Sequence, residues 1–342
     1  IGSDLDRPAQ RERHGGGDRN RIALGGGKQS EQSPDPAGVA PIRPRPAALE
    51  HILPIIRAGH HVVITHGNGP QIGNILIRVE EGERRVPPLP LDTCVADSQG
   101  GMGYMIQRLA TELFRRENIR RDVACIITQV LVDRNDPEFT NPTKPVGSFY
   151  SAADTEGLRR DKPHWILREI EKGRFRRVVP SPHPLEVLEK NAISDLVESG
   201  AVVVACGGGG IPVAWEGNSL LGVEGVIDKD RASGLLATQI RASKLIIVTS
   251  VDQVAVRYRQ PGQQWLGTLT VAEARAHLAA GEFPPGSMGP KIEAAIDFIE
   301  KGGEECIITS TEQVARALAG NAGTHIIAAW GRRSLAFPPP QN

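Results

Sequence analysis

The chain has 342 residues, enough for one large or two ordinary domains with a sizeable core. Lys+Arg and Asp+Glu both number 40, so bulk charge argues against a nucleic-acid or membrane-surface partner. No run reaches the roughly eighteen apolar residues that a spanning helix needs, and no basic start leads into an apolar signal core, so a soluble cytoplasmic protein is expected.

Residues 1–20 are polar, rich in Gly and Arg and without apolar periodicity; they read as a disordered or artefactual extension. Ile22-Ala-Leu24 predicts a first strand, and Gly25-Gly-Gly27 its phosphate-facing turn. A Pro-, Gly- and Ser-rich stretch at 28–46 then delays the expected helix to 47–58. Residues 61–65 form a short buried-strand pattern between Gly59 and His66-Gly-Asn-Gly-Pro70, followed by a helix over 71–80. A Gly-Asn-Gly turn lets an anion approach exposed backbone amides, although an ordinary strand-to-helix turn explains it equally well. His66 reads as a turn hydrogen-bonder, since no partner lies at ligand spacing.

A long helix is predicted over 96–117 and the next strand over 122–132. From 133 to about 184, turn chemistry surrounds Phe149, Tyr150, Trp165 and Phe175, which suits a small excursion with its own minor core. Lys144 lies on this insert and alone would be an ordinary exposed lysine. Residues 185–198 read as a helix and 201–206 as a strand that empties into Gly207-Gly-Gly-Gly-Ile-Pro212. Four successive glycines mark close backbone approach to a ligand or another segment. They are not a dinucleotide fingerprint, because no Gly-x-Gly-x-x-Gly leads into a helix and an acidic strand end.

The stretch 222–233 places Asp228, Lys229 and Asp230 where an apolar run turns helical, and this helix runs to about 241. A cation in the first turn opposes the helix dipole by roughly 0.3–1 kcal/mol unless an anion holds it. Lys291 repeats the oddity. It follows Gly286-Ser-Met-Gly-Pro290, with Pro290 at the first helical position, and opens a helix over 290–302. Either lysine alone reads as a solvated surface residue; two Gly-rich turns that each deliver a lysine to a helix start point to phosphate. Residues 244–250, 305–309 and 324–329 are further strands. Capping boxes are expected at Thr270-Val-Ala-Glu273 and Ser310-Thr-Glu-Gln313, and 336–342 form a disordered tail. Cys94, Cys125, Cys206 and Cys306 have no metal-ligand spacing and read as reduced packing residues. Strands too apolar for a one-faced sheet, alternating with helices, predict an α/β fold whose mainly parallel sheet is covered on both faces.

Taken in order, Thr65-His-Gly-Asn-Gly-Pro-Gln71, Asp97-Ser-Gln-Gly100, Asn141-Pro-Thr-Lys-Pro145, Val179-Pro-Ser-Pro182, Gly207–Val213, Val226–Ser233 and Gly286–Lys291 resemble the motifs of carbamate kinases in the amino acid kinase superfamily. The resemblance covers about 21–330. Asn-Pro-Thr-Lys-Pro and Gly-Ser-Met-Gly-Pro-Lys separate this family from its acetylglutamate and uridylate kinase relatives. It implies a three-layer α/β/α homodimer. An N-terminal lobe (21–210), with a protruding subdomain near 133–184, would hold carbamate or carbamoyl phosphate, and a C-terminal lobe (211–335) the nucleotide. The implied reaction is transfer between ATP and carbamate to give ADP and carbamoyl phosphate, run in many members toward ATP. Mg²⁺ would accompany ATP or ADP, with no protein metal ligand assigned.

By similarity, Lys229 and Lys291 flank the transferred group, Lys144 reaches in from the subdomain, and Asp230 aims the lysines. Gly25, Gly26, Gly67, Asn68 and Gly69 would serve the acceptor and phosphoryl group; Gly207, Gly208, Asp228, Thr249, Ser287 and Met288 would serve the nucleotide. One loop departs from the family pattern. Gly-Gly-Asn-Ala is expected after the first strand, whereas this chain has Gly25-Gly26-Gly27-Lys28. A compensating Lys28, a catalytically impaired or regulatory nucleotide-binding protein, and a faulty N-terminal reading frame each account for it. A related kinase with another small carboxylate acceptor is a further alternative.

Overall fold

The computed structural model describes residues 18–25 and 49–329. Its strands are β1 (Asp18–Gly25), β2 (His61–Thr65), β3 (Val123–Cys125), β4 (Gln129–Val132), β5 (Lys144–Ser151), β6 (Ile166–Glu171), β7 (Arg174–Val179), β8 (Pro184–Val187) and β9 (Val202–Val204). They continue as β10 (Ile211–Glu216), β11 (Ser219–Gly222), β12 (Ala242–Thr249), β13 (Val254–Val256), β14 (Gln264–Leu266), β15 (Thr268–Thr270), β16 (Glu305–Ser310) and β17 (Thr324–Ile327). A central eight-stranded sheet has the order β15-β17-β16-β12-β1-β2-β9-β3.

Both faces of that sheet are apolar, and the two-residue period of a strand sorts its side chains between them. Ala23, Val63, Val203, Leu245, Ile247, Cys306 and Ile308 cluster with the helices Lys190–Glu198, Lys229–Gln239, Val271–Ala279 and Met288–Glu300. Ile22, Leu24, Val62, Ile64, Val204, Ile246 and Ile307 cluster with Leu53–Arg57, Leu91–Arg116 and Val314–Leu318. The result is a three-layer α/β/α sandwich. β16, β12, β1, β2, β9 and β3 run parallel, while β17 is antiparallel to β16. The parallel strands therefore present their carboxyl ends along one edge, the usual seat of a ligand in such sheets.

The insert is a separate antiparallel sheet, β5-β7-β6, with the helix Ala152–Asp161. Its base shares a third apolar cluster with the helices Gly69–Gly82 and Leu91–Arg116 through Val146 and Val179. Lys144 is the first residue of β5 and pairs with Val179 of β7, so it is carried by a strand.

Several local expectations are corrected. The run 122–132 is two strands, since β3 stays in the central sheet and β4 joins a second one ordered β11-β10-β4-β8. The corner between them is a buried polar bracket: Gln99 Nε2 donates to the Thr128 carbonyl at 3.0 Å, and Thr128 N donates to Gln99 Oε1 at 2.8 Å. Residues 184–187 form β8, where Val187 N donates to Gln239 Oε1 at 3.0 Å, and helix begins only at Lys190. β1 starts at Asp18, three residues inside the stretch read as an extension. The second lysine's helix starts at Met288, so Pro290 lies within its first turn. The Thr270–Glu273 capping box forms, but Ser310 makes no side-chain cap bond and heads only a single 3₁₀ turn, Thr311–Gln313. The β10–β11 hairpin was not anticipated.

At the β12–β16–β17 edge, Glu305 accepts from His325 Nδ1 at 2.8 Å and pairs with Lys244. Burial pushes its carboxyl up, but His325 and Lys244 outweigh burial and hold it at about 2, against an ordinary 4.5. A carboxylate depressed in the folded state adds stability that is complete above its unfolded value and lost as pH falls toward the folded one. Wild-type protein should therefore lose stability more steeply than Glu305→Gln between pH 4.5 and 2; parallel slopes in urea unfolding would contradict this.

Candidate active site

The site is built from two helix starts. Asp228 caps Lys229–Gln239, its Oδ1 accepting from Asp230 N at 2.9 Å and from Arg231 N at 3.3 Å. That helix packs closely on Met288–Glu300. A Cβ added at Gly234 would lie 3.2 Å from the Ala294 carbonyl oxygen, so a larger residue would force the helices apart. Arg231 fastens them further, donating Nε and Nη2 to Glu293 Oε2 at 3.2 and 2.7 Å.

This packing brings the two lysines to one carboxylate. Asp230, 3% exposed, accepts from Lys229 Nζ on Oδ1 at 2.8 Å and from Lys291 Nζ on Oδ2 at 2.6 Å. It is the anion that each lysine needs against its helix dipole. The shared carboxylate thus holds two ammonium groups side by side. Lys144 Nζ lies 3.4 Å from Asp228 Oδ2, with its side chain 43% exposed. Burial pulls the Lys291 ammonium below its ordinary pKa and Lys229 adds to the fall, while Asp230 opposes it. Burial raises the Asp228 carboxyl, but Lys144, the two capping amides and Lys229 outweigh it and hold the group low.

The loop after β2 forms the opposite wall. A Cβ at Gly67 would sit 3.0 Å from Lys229 Cδ, so the lysine stem crosses where a side chain would otherwise stand. Ser233 Oγ donates to the Lys229 carbonyl at 2.7 Å and lies 2.6 Å from Thr65 Oγ1, whose hydroxyl also reaches the Leu24 carbonyl at 3.2 Å. Asn68 Nδ2 donates to Ser98 Oγ at 2.7 Å. The four-glycine turn fits against this loop: a Cβ at Gly207 would strike the His66 ring, and one at Gly208 the Asn68 amide. Gly208, Gly209 and Gly210 also have φ of +67°, +102° and +86°, which side chains disfavour. Burial lowers the His66 pKa, favouring a neutral ring, and its Nδ1 lies 3.0 Å from the Gly67 carbonyl.

The structure thus gathers Lys144, Asp228, Lys229, Asp230, Lys291 and Gly67 into one cluster. Gly25 ends β1 beside it; a Cβ there would lie 3.7 Å from Ser233 Oγ. Asn68, Gly207 and Gly208 form the adjoining wall, and Gly69 opens the helix Gly69–Gly82. Thr249 ends β12 in register with Ser310, and Ser287 and Met288 begin the second lysine helix. Among the described residues, no hydrogen bond or ion pair joins those three to the lysine cluster. Gly26, Gly27 and Lys28 lie outside the described residues. Thr65, Ser98 and Ser233 were not singled out from sequence. They stand inside recognisable motifs, but their roles depend on partners from 30 to 168 positions away.

Residues 40–310 match the model of the amino acid kinase family. A carbamate kinase 2 of Staphylococcus aureus is 44% identical over 308 residues, covering 89% of this chain and 97% of the relative. The carbamate kinase of Pyrococcus furiosus is 46% identical over 278 residues, covering 81% and 88%. The chain belongs to the carbamate kinases of the amino acid kinase family. Carbamate kinase from Giardia lamblia, solved bound to AMP-PNP, has the same fold, with a TM-score of 0.82 and 38% identity over 90% of this chain and 97% of that one. A carbamate kinase chain with this lysine–carboxylate–lysine arrangement should respond predictably to loss of its central charge. Asp230→Asn removes what opposes the fall in the Lys291 pKa, so the Lys291 ammonium should titrate lower still; an unchanged lysine Nζ titration by NMR would contradict the coupling.

Proposed function

We propose that this chain catalyses reversible phosphoryl transfer between ATP and carbamate, forming ADP and carbamoyl phosphate, with Lys229, Lys291 and Lys144 surrounding the transferred group. The observation that carries the reading is Asp230 joined to both Lys229 and Lys291, which gathers two ammonium groups beside a glycine-lined loop. In phosphoryl transfer, charge spreads over the equatorial oxygens, so the protein acts by positioning and neutralisation. Asp230 aims the lysines and needs no role as a base, because carbamate is already an anion. Lys144 approaches from the insert side, where its partner Asp228 also caps the lysine-bearing helix.

In this reading the lobe over 21–210, with its subdomain near 133–184, holds carbamate or carbamoyl phosphate through backbone donors at Gly25, Gly26, Gly67, Asn68 and Gly69. The lobe over 211–335 holds the nucleotide near Asp228, Thr249, Ser287 and Met288. Gly207 and Gly208 seat the turn between the lobes. The AMP-PNP in the Giardia lamblia relative supports nucleotide use. Among the described residues no three His, Cys, Asp or Glu side chains converge on a metal position, and Asp228 and Asp230 are already engaged by lysines. Mg²⁺ therefore fits as a companion of the nucleotide, held largely by phosphate oxygens and water, and would supply further charge neutralisation. Exposed Ile127 and Trp215 on one face of the second sheet suit a homodimer face. Free Cys94, Cys125, Cys206 and Cys306 suit the reducing cytoplasm.

Purified protein given ADP, Mg²⁺ and carbamoyl phosphate should make ATP. A folded protein that binds ADP without turnover would overturn this reading in favour of a regulatory one. Lys291→Ala should lower kcat by about a hundredfold or more in a protein that still folds, because its charge counts most in the transition state. Near-wild-type turnover would remove Lys291 from the site.

A further inference from the structure

We infer that Glu224 is a positioning residue for phosphoryl transfer: it clamps the insert onto the loop before Asp228, and so fixes where Lys144 stands. The inference rests on the reading that Lys144 acts at the transferred group. Glu224 has two different partners. Its Oε1 accepts from Leu91 N at 2.9 Å, at the start of a helix whose N-cap, Pro90, offers no side-chain bond. Its Oε2 accepts from Arg177 Nη2 at 2.6 Å. Arg177 lies on β7 opposite Val146 of β5, and Lys144 opposite Val179, so the clamp grips the ribbon two residues from Lys144.

A second contact closes the ribbon on the same loop. Val226 N donates to the Pro180 carbonyl at 2.9 Å, and a Cβ at Gly225 would lie 3.1 Å from that oxygen. The ribbon's exit is fixed in turn, with Ser181 N donating to Glu138 Oε2 at 3.0 Å and His183 N to Asp136 Oδ2 at 2.8 Å. This gives the Val179-Pro-Ser-Pro182 motif a purpose that phosphoryl chemistry alone does not supply. Asp228 follows Val226 by two residues, so loop and ribbon are joined at two points just short of the 3.4 Å approach between Lys144 and Asp228. The Glu224 side chain is 55% exposed, and an ion pair so wet contributes little to stability. Its effect lies in register.

Glu224→Gln keeps an oxygen for Leu91 N but loses the charge that holds Arg177. In the unliganded protein, hydrogen–deuterium exchange at 144–151 and 222–230 should quicken; unchanged exchange in both segments overturns the inference, whatever the activity. In the ADP and carbamoyl phosphate assay kcat should fall about ten- to a hundredfold, with KM for ADP within about twofold. Arg177→Met should reproduce that loss and Arg177→Lys should recover part of it. In a Lys144→Ala background, Glu224→Gln should cost no more than about another twofold, because interacting residues are not additive. Losses that multiply in full would overturn the inference. Failure of the wild type to make ATP would instead overturn the functional reading, with exchange still deciding the clamp.

Discussion

A single buried carboxylate, that of Asp230, sets the terms for the structure around it. Each lysine it holds would be costly alone, since burial disfavours an ammonium and the positive end of a helix repels it. Shared between them, Asp230 offsets both penalties. Ion pairs of this kind are weak grounds for stability, because desolvation consumes much of the Coulombic gain. What this one secures is geometry. The carboxylate has one oxygen for each lysine, so the two ammonium groups are held a fixed distance apart before any ligand arrives.

The fold supplies that geometry by bringing backbone close to side chains. Gly67 makes room for the Lys229 stem, and the Gly207–Gly210 turn fits against His66 and Asn68 where any side chain would collide. Thr65 and Ser233 tie the loop after β2 to the first turn of the Lys229 helix through hydroxyl groups alone. Such a wall has little charge of its own beyond the lysines. Backbone amides and a ring kept neutral by burial surround them, which lets the local field be set by few groups.

The lysines were legible in the sequence because each violates a local rule, a cation at the wrong end of a helix, and a violation that persists asks for a ligand. The strands of the central sheet were legible because both of their faces are apolar. Where reading failed, the cause was non-local. Nothing within 122–132 shows that Thr128 turns the chain out of one sheet into another, because the turn is enforced by Gln99 on a distant helix. Residues 185–187 look helical alone and become strand by pairing with β4. Ser310 has the composition of a capping box without its hydrogen bond. Family resemblance assigned roles to Lys144 and Gly67, which spacing alone left as an exposed lysine and a turn. It did not indicate Glu224, whose partners lie 47 and 133 positions away.

The close seating of Gly234 on Ala294 also bears on how the three lysines are held. With Gly234 seated closely on Ala294 and Arg231 braced on Glu293, the helices that carry Lys229 and Lys291 are packed as one unit. Lys144 is different, for it is half exposed and meets its carboxylate at the longer distance of 3.4 Å. The lysine cluster therefore has one face set by helix packing and one set by a few contacts at the edge of a ribbon. What sets the two faces relative to each other is the contact between ribbon and loop rather than the core.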